Sequence, residues 1–143
     1  MLAKSEDRRS EKGFSLIELI VVLVILGMLA AVVGPKIVGK LSQSKEHIAK
    51  IQIAELESAL QVFSFDIGRY PTTAEGLEAL VQNPGNLEAW KSSYLAKELP
   101  KDPWGRPYIY RSPGLHGDFD ILSLGPDGIE GTEDDVCSWT TTR

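Results

Sequence analysis

Carboxylates are the side chains of this sequence best placed to do chemistry, and they occur in two settings. Five of them, Asp127, Glu130, Glu133, Asp134 and Asp135, lie close together near the carboxyl end, interleaved with Gly125, Gly128 and Gly131. Glycines let such a segment turn tightly. Hard cations such as calcium take roughly six to eight oxygens from carboxylates, backbone carbonyls and water. Two readings of the loop are open: a solvated acidic turn, or a cation site in which the ion relieves like-charge repulsion. The spacing does not match the EF-hand pattern. The second setting is a single carboxylate, Glu18, inside an apolar run. A charge within a membrane-spanning helix costs about 2.5–3.5 kcal/mol on insertion scales. Glu18 therefore either sits hydrated near the headgroups or awaits a cation, such as a neighbouring chain's amino terminus.

Other chemistries are poorly supplied. His47 and His116 are far apart, and together with a single cysteine, Cys137, they do not make a zinc set. One cysteine also permits no intrachain disulfide. No P-loop, G-x-G-x-x-G or H-E-x-x-H motif is present. A membrane-tethered hydrolase using the clustered acids to hold a catalytic metal would lack both a nucleophile–base pair and histidine ligands. The net charge of −5 leaves no basic excess for nucleic acid. His47 is expected on a solvated helix face and His116 in a turn. Cys137 is expected as a small buried side chain, and Trp104 and Trp139 as core or interface aromatics. Asp118 and Asp120 read as outward strand positions or as supports of the acidic loop.

The elements that position these groups begin with the apolar run. From Phe14 to Val38 nearly every residue is apolar or small, and Lys36 closes the run. Its length exceeds the ~20 residues needed to span a bilayer. The polar stretch before it carries Lys4, Arg8, Arg9 and Lys12 against Glu6, Asp7 and Glu11. By residue type alone this is either a discarded signal, with Ala30-Ala31 as the cleavage site, or a retained anchor. Lys36, Lys40, Lys45 and Lys50 come after the run, so the positive-inside rule does not orient it.

Beyond the run, Ile48, Ile51, Leu56, Leu60, Phe63 and Ile67 recur at helical spacing between charged residues. No proline lies between Pro35 and Pro71, so the two stretches predict one helix of ~50 residues, ~75 Å long. Gly34-Pro35 would bend or locally melt it, and Gly68 would stop it. Thr72 and Glu75 have capping-box spacing ahead of a short helix over 76–81. Residues 83–93 read as a loop anchored by Trp90 and Tyr94, and 99–105 as turns. Strands are expected over 106–112, 119–123 and 137–141. The fold class is α+β: a long amino-terminal helix packed on a small antiparallel sheet.

The segment Lys12-Gly13-Phe14-Ser15-Leu16-Ile17-Glu18-Leu19 resembles the processing signature of type IV pilins and pseudopilins. Tyr70-Pro71-Thr72, Asp102-Pro103-Trp104-Gly105 and Ser123-Leu124-Gly125-Pro126-Asp127-Gly128 are similar, more narrowly, to the major pseudopilins of type II secretion, the general secretion pathway protein G family. The resemblance covers essentially the whole chain after the leader. It implies a leader, residues 1–13, removed by a prepilin peptidase after Gly13, with methylation of Phe14. It also implies a transmembrane and assembly half over 14–38, an amphipathic half over 39–66, and a periplasmic globular region over 67–143. Glu18 and Pro35 would serve assembly, Glu18 by pairing with the Phe14 amino group of a neighbouring subunit.

Calcium would be held by Asp127, Asp134 and Asp135 together with Leu124 and Thr132; Glu130 and Glu133 fall where the family varies. The implied protein is not an enzyme. It is an inner-membrane subunit of a homopolymeric filament that helps drive folded proteins across the outer membrane. Its partners would be copies of itself, minor pseudopilins and the inner-membrane assembly platform, with no nucleic acid. The alternative is a type IV pilin for adhesion, motility or DNA uptake. A carboxyl-terminal disulfide loop or a basic patch would favour it, and the sequence has neither.

Overall fold

A computed structural model describes residues 13–139. The leader ahead of Gly13, and Thr140 and Thr141 of the third expected strand, lie outside the described residues. The chain divides into two compact units, Met1–Lys40 and Leu41–Arg143.

One helix, α1, runs over Leu16–Ile67 and passes through Pro35. A proline removes one backbone donor, yet the helix continues on both sides, so the expected local melt is absent. In the first unit α1 leaves its large apolar side chains exposed from Leu16 to Val38. Among the described residues it is the one helix long and apolar enough to cross a membrane. It ends as expected: Gly68 takes φ +83 and its N–H donates to the Ser64 carbonyl. A left-handed residue of this kind ends many helices, and glycine adopts it without a Cβ penalty.

In the second unit α1 buries Ala49, Ile53, Leu56, Ala59, Leu60 and Phe63. This corrects the expected stripe. Ile48 and Ile51 are exposed, and Ala49 and Ile53 take the inward places. The buried positions Ala49, Ile53, Leu56, Leu60 and Phe63 follow one another at four- and three-residue steps, the period of a single helix face, and Ile48 and Ile51 fall off that face. Tyr108 donates its hydroxyl to Gln52 Oε1 at 2.5 Å.

The capping box forms as expected: Glu75 N donates to Thr72 Oγ1 and Thr72 N to Glu75 Oε2. A bidentate Arg69 fork grips the same carboxylate, and chiefly through those bonds holds its pKa down to about 2. The element after the box is a 3₁₀ turn over Leu77–Leu80 rather than an α-helix. Gly76 sits at φ +65, outside helical geometry, and the turn closes with a bond from Val81 N to Glu78 O. Trp90 donates Nε1 to the Ala79 carbonyl, and Tyr94 sets its ring edge-to-face on Phe63 with centroids 5.3 Å apart. These two aromatics anchor the loop as expected.

Among the described residues three strands form, β1 Ile109–Arg111, β2 Asp120–Ser123 and β3 Val136–Cys137, the first two shorter than expected. Pro107 and Pro113 bracket β1, and proline cannot donate to a ladder. The sheet is antiparallel in the order β1-β2-β3, with Tyr110 opposite Ile121 and Ser123 opposite Val136. All four residues of the central strand are buried. The core joins the inward face of α1 to Leu77, Leu80, Tyr108, Tyr110, Ile121 and Val136.

Phe63 is fully buried while Phe65, two residues on, is 90% exposed. Phe63→Ala should cost about 3–5 kcal/mol of stability, and Phe65→Ala less than about 0.5 kcal/mol. Urea unfolding of both variants reads the difference; equal losses would contradict the assigned face.

Candidate functional site

The amino-terminal candidates stand at the head of α1. Gly13 and Phe14 precede the helix, and Phe14 is exposed. Glu18 falls in the first helical turn, where a carboxylate is favoured by the positive end of the helix dipole. It is exposed, as are the apolar residues around it. Among the described residues of this chain no cation faces it through a salt bridge.

The acidic loop is the connection from β2 to β3, and its own side chains brace it. Thr132 donates Oγ1 to Asp134 Oδ1 at 2.6 Å, and that bond first of all holds the Asp134 carboxyl below its usual range. Asp127 Oδ1 accepts from Ile129 N and Asp135 Oδ2 from Gly131 N. The Leu124 carbonyl accepts from Gly128 N. Asp135 Oδ1 is buried and has no hydrogen-bond partner. Glu130 turns to a bidentate pair with Arg111 of β1, at 2.8 and 2.9 Å.

The expected set Leu124, Asp127, Thr132, Asp134 and Asp135 therefore shares one loop and one bonding network. It is not a ready-made ligand shell. Among the described residues no three Asp, Glu, His or Cys side chains are gathered closely enough to hold a metal ion. A cation here would need backbone and hydroxyl oxygens as well as carboxylates. The donor set fits that demand in chemistry: it is all oxygen, and one buried carboxylate oxygen lacks a partner.

Sequence reasoning missed the floor of this loop. Asp102, 4% exposed, accepts through Oδ1 from Trp104 N and Arg106 N, and through Oδ2 from Ser123 Oγ at 2.6 Å. Ser123 Oγ in turn accepts from Gly125 N, and Arg106 Nη1 donates to Gly125 O at 2.7 Å. Both backbone groups of Gly125 are thus pinned at the loop's entrance. The only signal in the sequence was the Asp102-Pro103-Trp104-Gly105 turn, read there as family likeness without a role.

Asp120 is also reassigned. It is buried and faces the turn over 114–116, not the acidic loop. Burial pushes its carboxyl up, but bonds from Leu115 N and from the His116 ring and amide outweigh this and hold it below the usual range. His116 bonds Asp120 Oδ2 at 3.0 Å and stacks on Trp139 with centroids 4.0 Å apart. His47 is exposed, as expected, and Cys137 is half-buried.

Comparison with known proteins covers the whole of this arrangement. A family model described as type II secretion system (T2SS), protein G matches residues 36–139, and one described as prokaryotic N-terminal methylation motif matches residues 8–34. The type II secretion system core protein G of Pseudomonas aeruginosa is 46% identical over 139 residues, covering 93% of this chain and 98% of that protein. Its counterpart from Escherichia coli is 44% identical over 137 residues, covering 93% and 94%. The crystal structure of the major pseudopilin from the type 2 secretion system of enterohaemorrhagic Escherichia coli superposes with a TM-score of 0.64 at 38% identity. That match covers 71% of this chain and 87% of the other.

Gly125 lies at φ +60, and a Cβ there would collide with the Asp134 carbonyl; at Gly131, φ +91, a Cβ would meet nothing. Gly131→Ala should cost only the backbone term, about 1–2 kcal/mol. Gly125→Ala adds a steric term of about 1–3 kcal/mol. Chemical denaturation of the two variants checks the order; equal losses would mean that the loop ends are not in close contact.

Proposed function

The chain belongs to the type II secretion system protein G family, and on that footing we propose how its residues serve the filament. It is a pseudopilin, a structural subunit that assembles with copies of itself into the pseudopilus of a protein-secretion system, anchored in the inner membrane by its amino-terminal helix. The adhesive-pilin alternative is not favoured, since both the matched model and the relatives are secretion proteins.

The observation that carries the proposed assembly mode is the amino-terminal unit of α1, whose apolar side chains from Leu16 to Val38 are exposed. Lipid covers such a face in the membrane, and neighbouring helices cover it in a filament. Gly27, Ala30, Ala31 and Gly34 allow close helix approach. In this reading a prepilin peptidase cuts after Gly13 and methylates Phe14, leaving residues 14–38 as the assembly half and the carboxyl-terminal region in the periplasm. Glu18 then pairs with the Phe14 amino group of an adjacent subunit, because an unpaired charge in an apolar bundle costs several kcal/mol. Minor pseudopilins and the inner-membrane platform are the expected assembly partners. The growing filament would help push folded proteins through the outer membrane.

The acidic loop is proposed to bind calcium through Asp127, Asp134 and Asp135 with the Leu124 carbonyl and Thr132. Bound there, the ion would neutralise the loop's like charges and tie its two ends together. The unpartnered Asp135 Oδ1 supports this reading. So does the dearth of buried apolar side chains between Leu124 and Asp135, which leaves the loop without a core of its own.

Two outcomes test these proposals. Glu18→Leu should be cleaved and methylated as in the wild type but give far fewer filaments on sheared cells; a normal yield would contradict the pairing. Calcium should raise the melting temperature of the protein above that in EDTA, since a ligand that binds only the folded state stabilises it. Superimposable melting curves would remove calcium from the account.

A further inference from the structure

We propose that the turn carrying Asp102 and Arg106 is the positioning device of the acidic loop, setting its calcium affinity without contributing a ligand. The inference rests on the calcium reading above. Its basis is the polar chain that runs from the turn into the loop entrance. Asp102 is nearly fully buried, and its carboxylate is the acceptor for Trp104 N, Arg106 N and Ser123 Oγ. Ser123, itself fully buried, relays this to Gly125 N at 3.3 Å.

Arg106 closes the circuit from the other side. Its backbone N–H is fixed by Asp102, and its Nη1 holds the Gly125 carbonyl. The same guanidinium fills the space above Gly128, where an added Cβ would lie 2.8–3.0 Å from its atoms. Gly128 in turn donates to the Leu124 carbonyl, and Gly125 lies against the Asp134 backbone. Leu124, Asp127 and Asp134, all in the proposed ligand set, are thus flanked by residues that this turn immobilises.

A carbonyl or carboxylate ordered before the ion arrives need not be ordered by it, so affinity rises with preorganisation. Groups that orient metal ligands in this way typically govern 10–100-fold in affinity. Arg106 bonds a backbone carbonyl rather than a ligand carboxylate, so it orders the loop without competing for the carboxylate oxygens. A guanidinium that acted only as a nearby positive charge would instead repel calcium.

The test titrates calcium chloride by calorimetry into the full chain in detergent micelles. It compares the wild type with Arg106→Ala, Arg106→Lys and, as a control whose partner Glu75 lies outside the acidic loop, Arg69→Ala. Melting temperatures in EDTA and in saturating calcium are recorded alongside. Arg106→Ala should raise the Kd about tenfold or more and shrink the calcium-induced rise in melting temperature. Arg106→Lys should recover part of the affinity, and Arg69→Ala should stay within about threefold of wild type. An Arg106→Ala protein with wild-type or tighter Kd overturns the proposal, as does one whose two melting temperatures fall equally. If Arg106→Ala does not fold, Arg106→Lys decides: a Kd equal to wild type, with charge kept but the planar fork lost, overturns it. Absence of binding to the wild type would instead remove the calcium reading itself.

Discussion

A buried carboxylate is tolerated only when donors surround it, and Asp102 meets that condition with two backbone amides and the Ser123 hydroxyl. These bonds join parts of the second unit that lie far apart in sequence. One end lies in the turn over 102–106, another in the central strand β2, and through Ser123 the chain extends to the entrance of the acidic loop. Removing Ser123 or the turn amides would leave a buried charge short of partners. The network therefore closes as a set or is strongly unfavourable, which gives a sheet of only three short strands a defined relation to the segments around it.

The helix divides its labour along its length. In the second unit its inward face is apolar and packed, and its outward face carries charge pairs such as Lys50–Glu46. In the first unit it is apolar on every side from Leu19 to Val33, and its large side chains are exposed. A helix of that composition is stable in lipid or among its own kind. The proposed function uses both settings, as a membrane anchor and as a filament subunit. Glu18 is the residue for which the two settings differ most, since headgroup water can solvate it in one and a neighbouring subunit's amino group is proposed to pair with it in the other.

Much of this was legible in the sequence, and the exceptions share a cause. Local signals read correctly: Gly68 ends α1, Thr72 and Glu75 close a capping box, and the first two strands fall inside their expected segments while the third begins one residue early. Errors came where a tertiary contact decides. Ile48 and Ile51 read as inward because size and apolarity mark a core position, but the packed face runs through Ala49, Ile53, Leu56, Leu60 and Phe63. Asp120 was read as outward or as a support of the acidic loop; it is inward because the 114–116 turn supplies it with donors. The Asp102–Ser123 bond joins residues 21 positions apart, and no periodicity reports such a pair. In the candidate site the cluster of carboxylates was readable from composition and the proposed ligand set only through the family resemblance, whereas Arg106 and Ser123, which hold the loop's backbone, were readable from neither.

The most direct test of the account is amide hydrogen exchange followed residue by residue in Asp102→Ala. If the buried carboxylate governs the loop, the amides of Gly125, Gly128 and Gly131 should lose protection while those of residues 53–63 in α1 exchange as in the wild type. Loop amides that keep their wild-type protection once Asp102 is gone would contradict it.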